Sequence, residues 1–303
     1  MGVIMPDMSN RHRRLNVKGA GYTVLARIFT ALVAIPLSVI LIFWPGGLPF
    51  AVAICIFSLL GANEFYANVR KIGIRPVEWA GFAAVALFVV SARTYEIKTI
   101  GSIFPAVLTL LLILSFCTEF FRRNRAPIIN VGTTVFGAIY VGWMISQLVV
   151  LRGFGGTIQV GSYKAEAGAW LVMLTFLCTW ACDSGAYFIG RSFGKRKIAP
   201  NLSPNKTVEG SIGGFVGSVI FALIMGTVIR LPIQHSLALG AMFGVLCQLG
   251  DLSESAIKRE LAVKDFGTIM PGHGGILDRF DSVLFAGPAA YYYIVIFLQH
   301  WPK

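Results

Sequence analysis

Apolar residues in this chain gather in long runs, not in the alternating or one-sided stripes of a soluble fold. The runs cover about 28–44, 48–66, 77–92, 101–121, 131–151, 169–190, 211–231, 236–253 and 281–299. A helix needs roughly 20 apolar residues to cross ~30 Å of hydrocarbon. The pattern therefore predicts an all-α integral membrane protein with about nine transmembrane helices, the first and third of them short. Composition agrees: the chain is 56% hydrophobic and 13% charged, with a mean hydropathy of +0.72, outside the usual soluble range. The first run follows a basic head and leads into eight more with no small-residue cleavage site, so it reads as a span and not as a removable signal. Met1-Gly2 is no myristoylation signal, because Pro6 stands where that motif needs Ser or Thr.

The polar segments between the runs set the orientation. With the N-terminus in the cytoplasm, all but six of the 26 Lys and Arg fall on the inner side. The exceptions are Arg93, Lys98, Arg152, Lys164, Arg230 and Lys303. This asymmetry predicts an N-in topology by the positive-inside rule, with the C-terminus outside. It also accounts for the net charge of +12 without nucleic acid. The chain divides into a basic cytoplasmic segment (1–27), an N-terminal transmembrane region (28–165) and a C-terminal transmembrane region (166–303) that is expected to be catalytic. The two most polar loops, 191–210 and 254–280, share the cytoplasmic face, so whatever they bind arrives from the cytosol. Cys55, Cys117, Cys178, Cys182 and Cys247 all lie in apolar runs, where thiols act as small hydrophobes. Neither they nor the scattered histidines outline a disulfide framework or a zinc site.

Eight of the 14 acidic residues lie between Asp183 and Asp281, which marks the C-terminal third for chemistry. Asp183, in TWACDSGAYFIG, sits inside an apolar run, where a carboxylate costs about 2–3 kcal/mol to insert. It must face protein, water or a cation, and a protonated structural Asp is the alternative. Asp251, Glu254, Ser255 and Lys258 fall on one helical face, acidic at its start and basic at its end. That order suits a metal-bound phosphate, and it also suits a solvated helix end.

Gly272, Gly274 and Gly275 open the stretch PGHGGILDRFDS. They allow close backbone approach and expose N–H groups that can cradle phosphate. Asp278 and Asp281 then share one helix face, with Arg279 pointing elsewhere. Two carboxylates beside a donor-rich loop fit a hard divalent cation, although Asp278 could equally be a helix cap. In NLSPNKTVEGSIGG, Ser203 and Pro204 predict a helix start. Lys206 and Thr207 would then sit in its first turns, where an anion is favoured. GRSFGKRK is not a P-loop, having too few residues between its glycines and no Ser or Thr after Lys195.

The string from Ser253 to Asp281, SESAIKRELAVKDFGTIMPGHGGILDRFD, resembles the signature of the phosphatidate cytidylyltransferase, or CDP-diacylglycerol synthase, family. CDSGAYFIGRSFGK and LSPNKTVEG resemble the same family in order and spacing. The likeness is strong over about 180–285, whereas the first five spans match only in being hydrophobic. It implies a Mg²⁺-dependent membrane enzyme, with a second cation as a further expectation. CTP and phosphatidic acid would be joined to give CDP-diacylglycerol and pyrophosphate at the cytoplasmic side of the C-terminal spans. The setting implied is a bacterial-type inner membrane, with membrane lipids as partners and a homodimer as the one assembly considered.

On that reading Asp251 and Asp278 hold metal, and Asp183 and Asp281 support it. Lys206, Lys258, Arg259, Lys264 and Arg279 hold phosphates, with Ser203, Thr207, Gly274 and Gly275 lining the substrate site. His273 is open to two readings, phosphate contact or loop structure. Rival activities are a CTP-dependent lipid kinase, an isoprenoid-lipid cytidylyltransferase and a cation-coupled transporter. The transporter would call for an inverted repeat, and none is evident.

Overall fold

The computed structural model describes residues 24–94, 103–123, 125–269, 274–298 and 301. Each predicted apolar run forms helix among these residues. The helices are α1 (Val24–Phe43), α2 (Leu48–Lys71), α3 (Glu78–Arg93), α4 (Ile103–Phe120), α5 (Pro127–Gly137) and α6 (Met144–Arg152). They are followed by α7 (Ala167–Phe193), α8 (Val208–Val228), α9 (Ile233–Glu260) and α10 (Leu277–Phe297). A π-helical turn, Ala138–Trp143, joins α5 to α6, so the two form one continuous rod. Among the described residues, seven helical stretches are long and apolar enough to cross a membrane. The 16-residue α3 is shorter, in line with the short third run, whereas α1 extends over 20 residues, longer than its run suggested. The fold is that of an all-α membrane protein.

Two antiparallel hairpins, too short and polar to leave a period-2 signal, interrupt the helices. β1 (Thr157–Val160) pairs with β2 (Tyr163–Glu166), and β3 (Lys197–Ala199) pairs with β4 (Ser203–Thr207). The second hairpin corrects one expectation. Ser203 and Pro204 begin a strand, not a helix, and the cap of α8 is Thr207, whose Oγ1 accepts from Gly210 N–H at 3.1 Å. Pro204 is tolerated because a two-stranded hairpin has only edges, where a missing N–H costs little. Glu209 is also explained, since its carboxylate accepts from the backbone N–H groups of Lys195 (2.9 Å) and Arg196 (3.2 Å) and folds the hairpin onto α8.

The α7–α10 helices pack most closely, α8 lying against both α7 and α9 while α10 bridges α9 and α6. Where α9 crosses α10, Gly250 meets the carbonyl of Asp281, and a Cβ there would collide with it. This close approach sets Asp251 beside the first turn of α10.

Candidate active site

Four elements bring their polar residues to one end of this bundle. α9 supplies Asp251, Glu254 and Lys258; α10 supplies Asp278, Asp281 and Ser282; α7 supplies Asp183; β4 supplies Lys206. Carboxylate oxygens of Asp251, Glu254 and Asp281 all lie within 4.8 Å of one another. Glu254 is fully buried, and its Oε1 has no hydrogen-bond partner among the described residues. Buried carboxylate oxygens without donors are costly unless a cation meets them. The donor set, all hard anionic oxygen, fits a divalent ion such as Mg²⁺.

Two ammonium groups flank the cluster. Lys206 Nζ lies 2.6 Å from Asp251 Oδ2. Lys258 Nζ bridges Glu254 Oε2 and Asp278 Oδ1, at 2.9 Å from each. The predicted face of Asp251, Glu254 and Lys258 thus packs against α10 and β4, with Glu254 buried and Asp251 partly open. Asp183 opens onto the same end, with its Oδ1 accepting from Ser282 Oγ at 3.4 Å. Asp281 Oδ1 accepts from its neighbour Ser282 N–H at 2.6 Å.

Asp278 stands apart from the three clustered carboxylates. Its Oδ2 accepts from the backbone N–H groups of Phe266 (2.9 Å) and Gly275 (2.8 Å), leaving Oδ1 to Lys258. It ties the loop to the start of α10 through two backbone amides and sets its other oxygen on Lys258, beside the cluster.

From Gly275 onward the backbone amides meet carboxylates of the protein itself. Gly275 N–H is spent on Asp278, and the next two N–H groups, of Ile276 and Leu277, donate to Glu64 of α2. A Cβ on Gly275 would sit 2.5 Å from Glu64 Oε2, so glycine is needed for the carboxylate to approach. Gly274 takes φ +83°, a left-handed conformation that admits glycine with little strain.

The remaining candidates are dispersed. Thr207 is buried as a helix cap, and Ser203 pairs with Ala199 within the hairpin. Arg259 Nε donates to Leu202 O at 3.0 Å and so holds the β3–β4 hairpin near α9. Lys264 and Arg279 are exposed. His273 and Gly272 lie outside the described residues, as does the head before Val24.

Two residues escaped the sequence reading. Glu254 was placed on the correct face but given no role. Glu64 was overlooked, although a glutamate in the apolar stretch GANEFYANVR is the kind of intramembrane charge that marks function or a specific partner.

Comparison with known proteins agrees with this geometry. The chain matches the profile of the cytidylyltransferase family over residues 25–297. A phosphatidate cytidylyltransferase of Synechocystis sp. is 34% identical over 290 residues, covering 90% of this chain and 97% of the relative. That of Bacillus subtilis is 34% identical over 259 residues, covering 83% and 91%. That of Staphylococcus saprophyticus reaches 49% over 171 residues, covering 55% and 60%. The family profile takes in nearly every helix, including the N-terminal ones where the signature is silent, and the chain belongs to the cytidylyltransferase family.

Proposed function

We propose that this protein transfers the cytidylyl group of CTP to phosphatidic acid, yielding CDP-diacylglycerol and pyrophosphate. The observation that carries the proposal is the meeting of Asp251, Glu254 and Asp281 with Lys206 and Lys258 at one end of α7–α10, in a chain whose family transfers cytidylyl groups. The lipid phosphate brings its own nucleophilic oxygen, so no side-chain nucleophile is required. That oxygen bonds to the α-phosphorus of CTP as the bond to the bridging oxygen of the β-phosphate breaks, and pyrophosphate departs with the bonding pair. Catalysis of such a displacement is chiefly positioning and charge neutralisation.

Asp251, Glu254 and Asp281 would hold the cation, with Asp183 beside them on α7. Asp278 joins them once Lys258 turns towards a phosphate, because its Oδ1 is engaged by that lysine, whereas its Oδ2 is kept by two backbone amides. Neutralisation of the polyphosphate charge is what a divalent cation supplies when bound there. Lys206 and Lys258, each able to exchange a carboxylate for a phosphate, are the phosphate-binding groups nearest the cluster. Lys264, Arg259 and Arg279 supply positive potential at the rim, where doubly charged lipid heads and CTP approach.

Incubating the purified enzyme with Mg²⁺, radiolabelled CTP and a panel of lipid phosphates should yield CDP-diacylglycerol and pyrophosphate. CDP with a newly phosphorylated lipid would make it a lipid kinase, and an isoprenoid-linked product would change the acceptor. Topology is tested separately. The basic surplus supports a cytoplasmic site end, so a single-cysteine label at Arg123 should react from that side, and one at Ser162 from the other. Labelling of both from one side would overturn this orientation.

A further inference from the structure

Glu64 contributes nothing to the carboxylate cluster, yet it closes the loop between α9 and α10. Oε1 accepts from Ile276 N–H and Oε2 from Leu277 N–H, each at 3.0 Å. One helical turn along α2, Asn68 Nδ2 donates to Phe266 O at 2.6 Å, and Lys71 Nζ donates to Asn68 Oδ1 at 2.8 Å. Glu64 and Asn68 are 5% and 1% exposed, too buried to reach substrate from the open face. A Cβ at Gly267 or at Gly275 would run into the Glu64 carboxylate, so glycine stands at both points where the loop passes it.

The loop is therefore gripped at its two ends from one face of α2. Both ends also meet on Asp278, whose Oδ2 takes the N–H groups of Phe266 and Gly275. The first N–H groups of a helix ordinarily attract an anion. Here the protein fills that position with its own carboxylate and leaves phosphate to the lysines.

We infer that Glu64 is a positioning residue for the transfer, acting through Asp278. It fixes the start of α10, so that Asp278 holds Lys258 at the cation cluster and Asp281 faces Asp251. The inference rests on the proposed function and concerns a helix outside the signature region.

The test uses the full-length enzyme in detergent, as wild type, Glu64→Gln, Glu64→Asp and Asn68→Ser. Each is assayed for kcat, for the Mg²⁺ concentration giving half the maximal rate, for Mn²⁺ binding by electron paramagnetic resonance without nucleotide, and for the thermal midpoint. Glu64→Gln sets an NH₂ against a backbone N–H. It should lower kcat about 10- to 100-fold, as loss of a group supporting ligands does, raise the Mg²⁺ requirement and weaken Mn²⁺ binding in the same protein. Glu64→Asp should recover part of all three.

A purely structural anchor would lower the thermal midpoint but leave kcat and Mn²⁺ affinity, per folded molecule, within about twofold of wild type. That result overturns the inference. Should Glu64→Gln not fold, Asn68→Ser, which removes the grip on Phe266 together with the Lys71 contact but keeps the Glu64 carboxylate, is expected to shift the Mg²⁺ requirement in the same direction, and an unchanged requirement refutes it. If the wild type binds Mn²⁺ but makes no CDP-diacylglycerol, the proposed reaction has failed while the Mn²⁺ measurement still decides the role of Glu64.

Discussion

Each end of the helical bundle carries a β-hairpin tied down by an ion pair, and the two pairs behave differently. At the end away from the site, Arg152 of α6 is 4% exposed, while its partner Glu166 stands 41% open at the surface. Arg152 donates to the carbonyls of Ile42 (2.6 Å) and Trp44 (2.8 Å) and pairs with Glu166 of β2 at 2.5 Å. Glu166 in turn accepts from Gly46 N–H at 3.2 Å. One charge meets one charge, and the surplus donors are absorbed by carbonyls.

At the site end, Lys206 of β4 pairs with Asp251, but both are partly open, at 24% and 34% exposure. Among the described residues, the five carboxylates of Asp183, Asp251, Glu254, Asp278 and Asp281 have two ammonium groups close by, those of Lys206 and Lys258. A balanced pair anchored on a buried arginine is architecture. An unbalanced, half-open set stores negative charge that a cation from solution can neutralise, and holds lysines that can change partners.

The sharpest way to break this contrast is to remove charge at the unbalanced end. Asp251→Asn and Asp281→Asn should each cut Mg²⁺-dependent CDP-diacylglycerol formation by about 100-fold or more with little change in thermal midpoint. Near-normal turnover in both would end the cation assignment. Lys206→Ala should cost about 10- to 100-fold in kcat/KM in a protein that stays folded, and Lys206→Arg should restore only part of it, since a planar fork replaces a point charge. Survival of full activity would detach the β3–β4 hairpin from the site.

Arg152→Ala should do the opposite. It leaves two carbonyls without donors, lowers stability by about 2 kcal/mol and leaves kcat per folded molecule unchanged; a loss of kcat instead would show that the balanced end communicates with the chemistry. The smallest effect is expected from Arg70→Ala. Its 2.8 Å pair with Glu78 is 53% exposed on the arginine side, a setting worth ~0–1 kcal/mol, and neither activity nor melting should move appreciably.

Sequence alone carried the helices well because lipid leaves the backbone no other solution. Length and apolarity located every run, including the third, which forms only the 16-residue α3. It carried the hairpins badly. Strands such as YKAE and SPNKT are too brief for alternation to register, and Ser-Pro satisfied a helix-start rule that Thr207 fulfils four residues later. Asp251, Glu254 and Lys258 were legible as one face because helical spacing is local. The pairing of Lys258 with Asp278 crosses a loop, and the grip of Glu64 on Ile276 and Leu277 spans more than 200 residues of chain, so no periodicity could expose either. Gly275 shows the cost: a glycine suited to wrapping phosphate was in fact making room for a carboxylate.

That carboxylate bears on how the enzyme can be taken apart. A piece beginning at Ala167 would contain every clustered acid and both lysines, and would look like a portable catalytic cassette. It would also bare the Ile276 and Leu277 amides and free the carbonyl of Phe266, all of which are answered from α2. Grafting or splitting the protein therefore requires α2 to travel with the helices it serves, and shuffling between relatives should respect Glu64, Asn68, Gly267 and Gly275 as one inherited block.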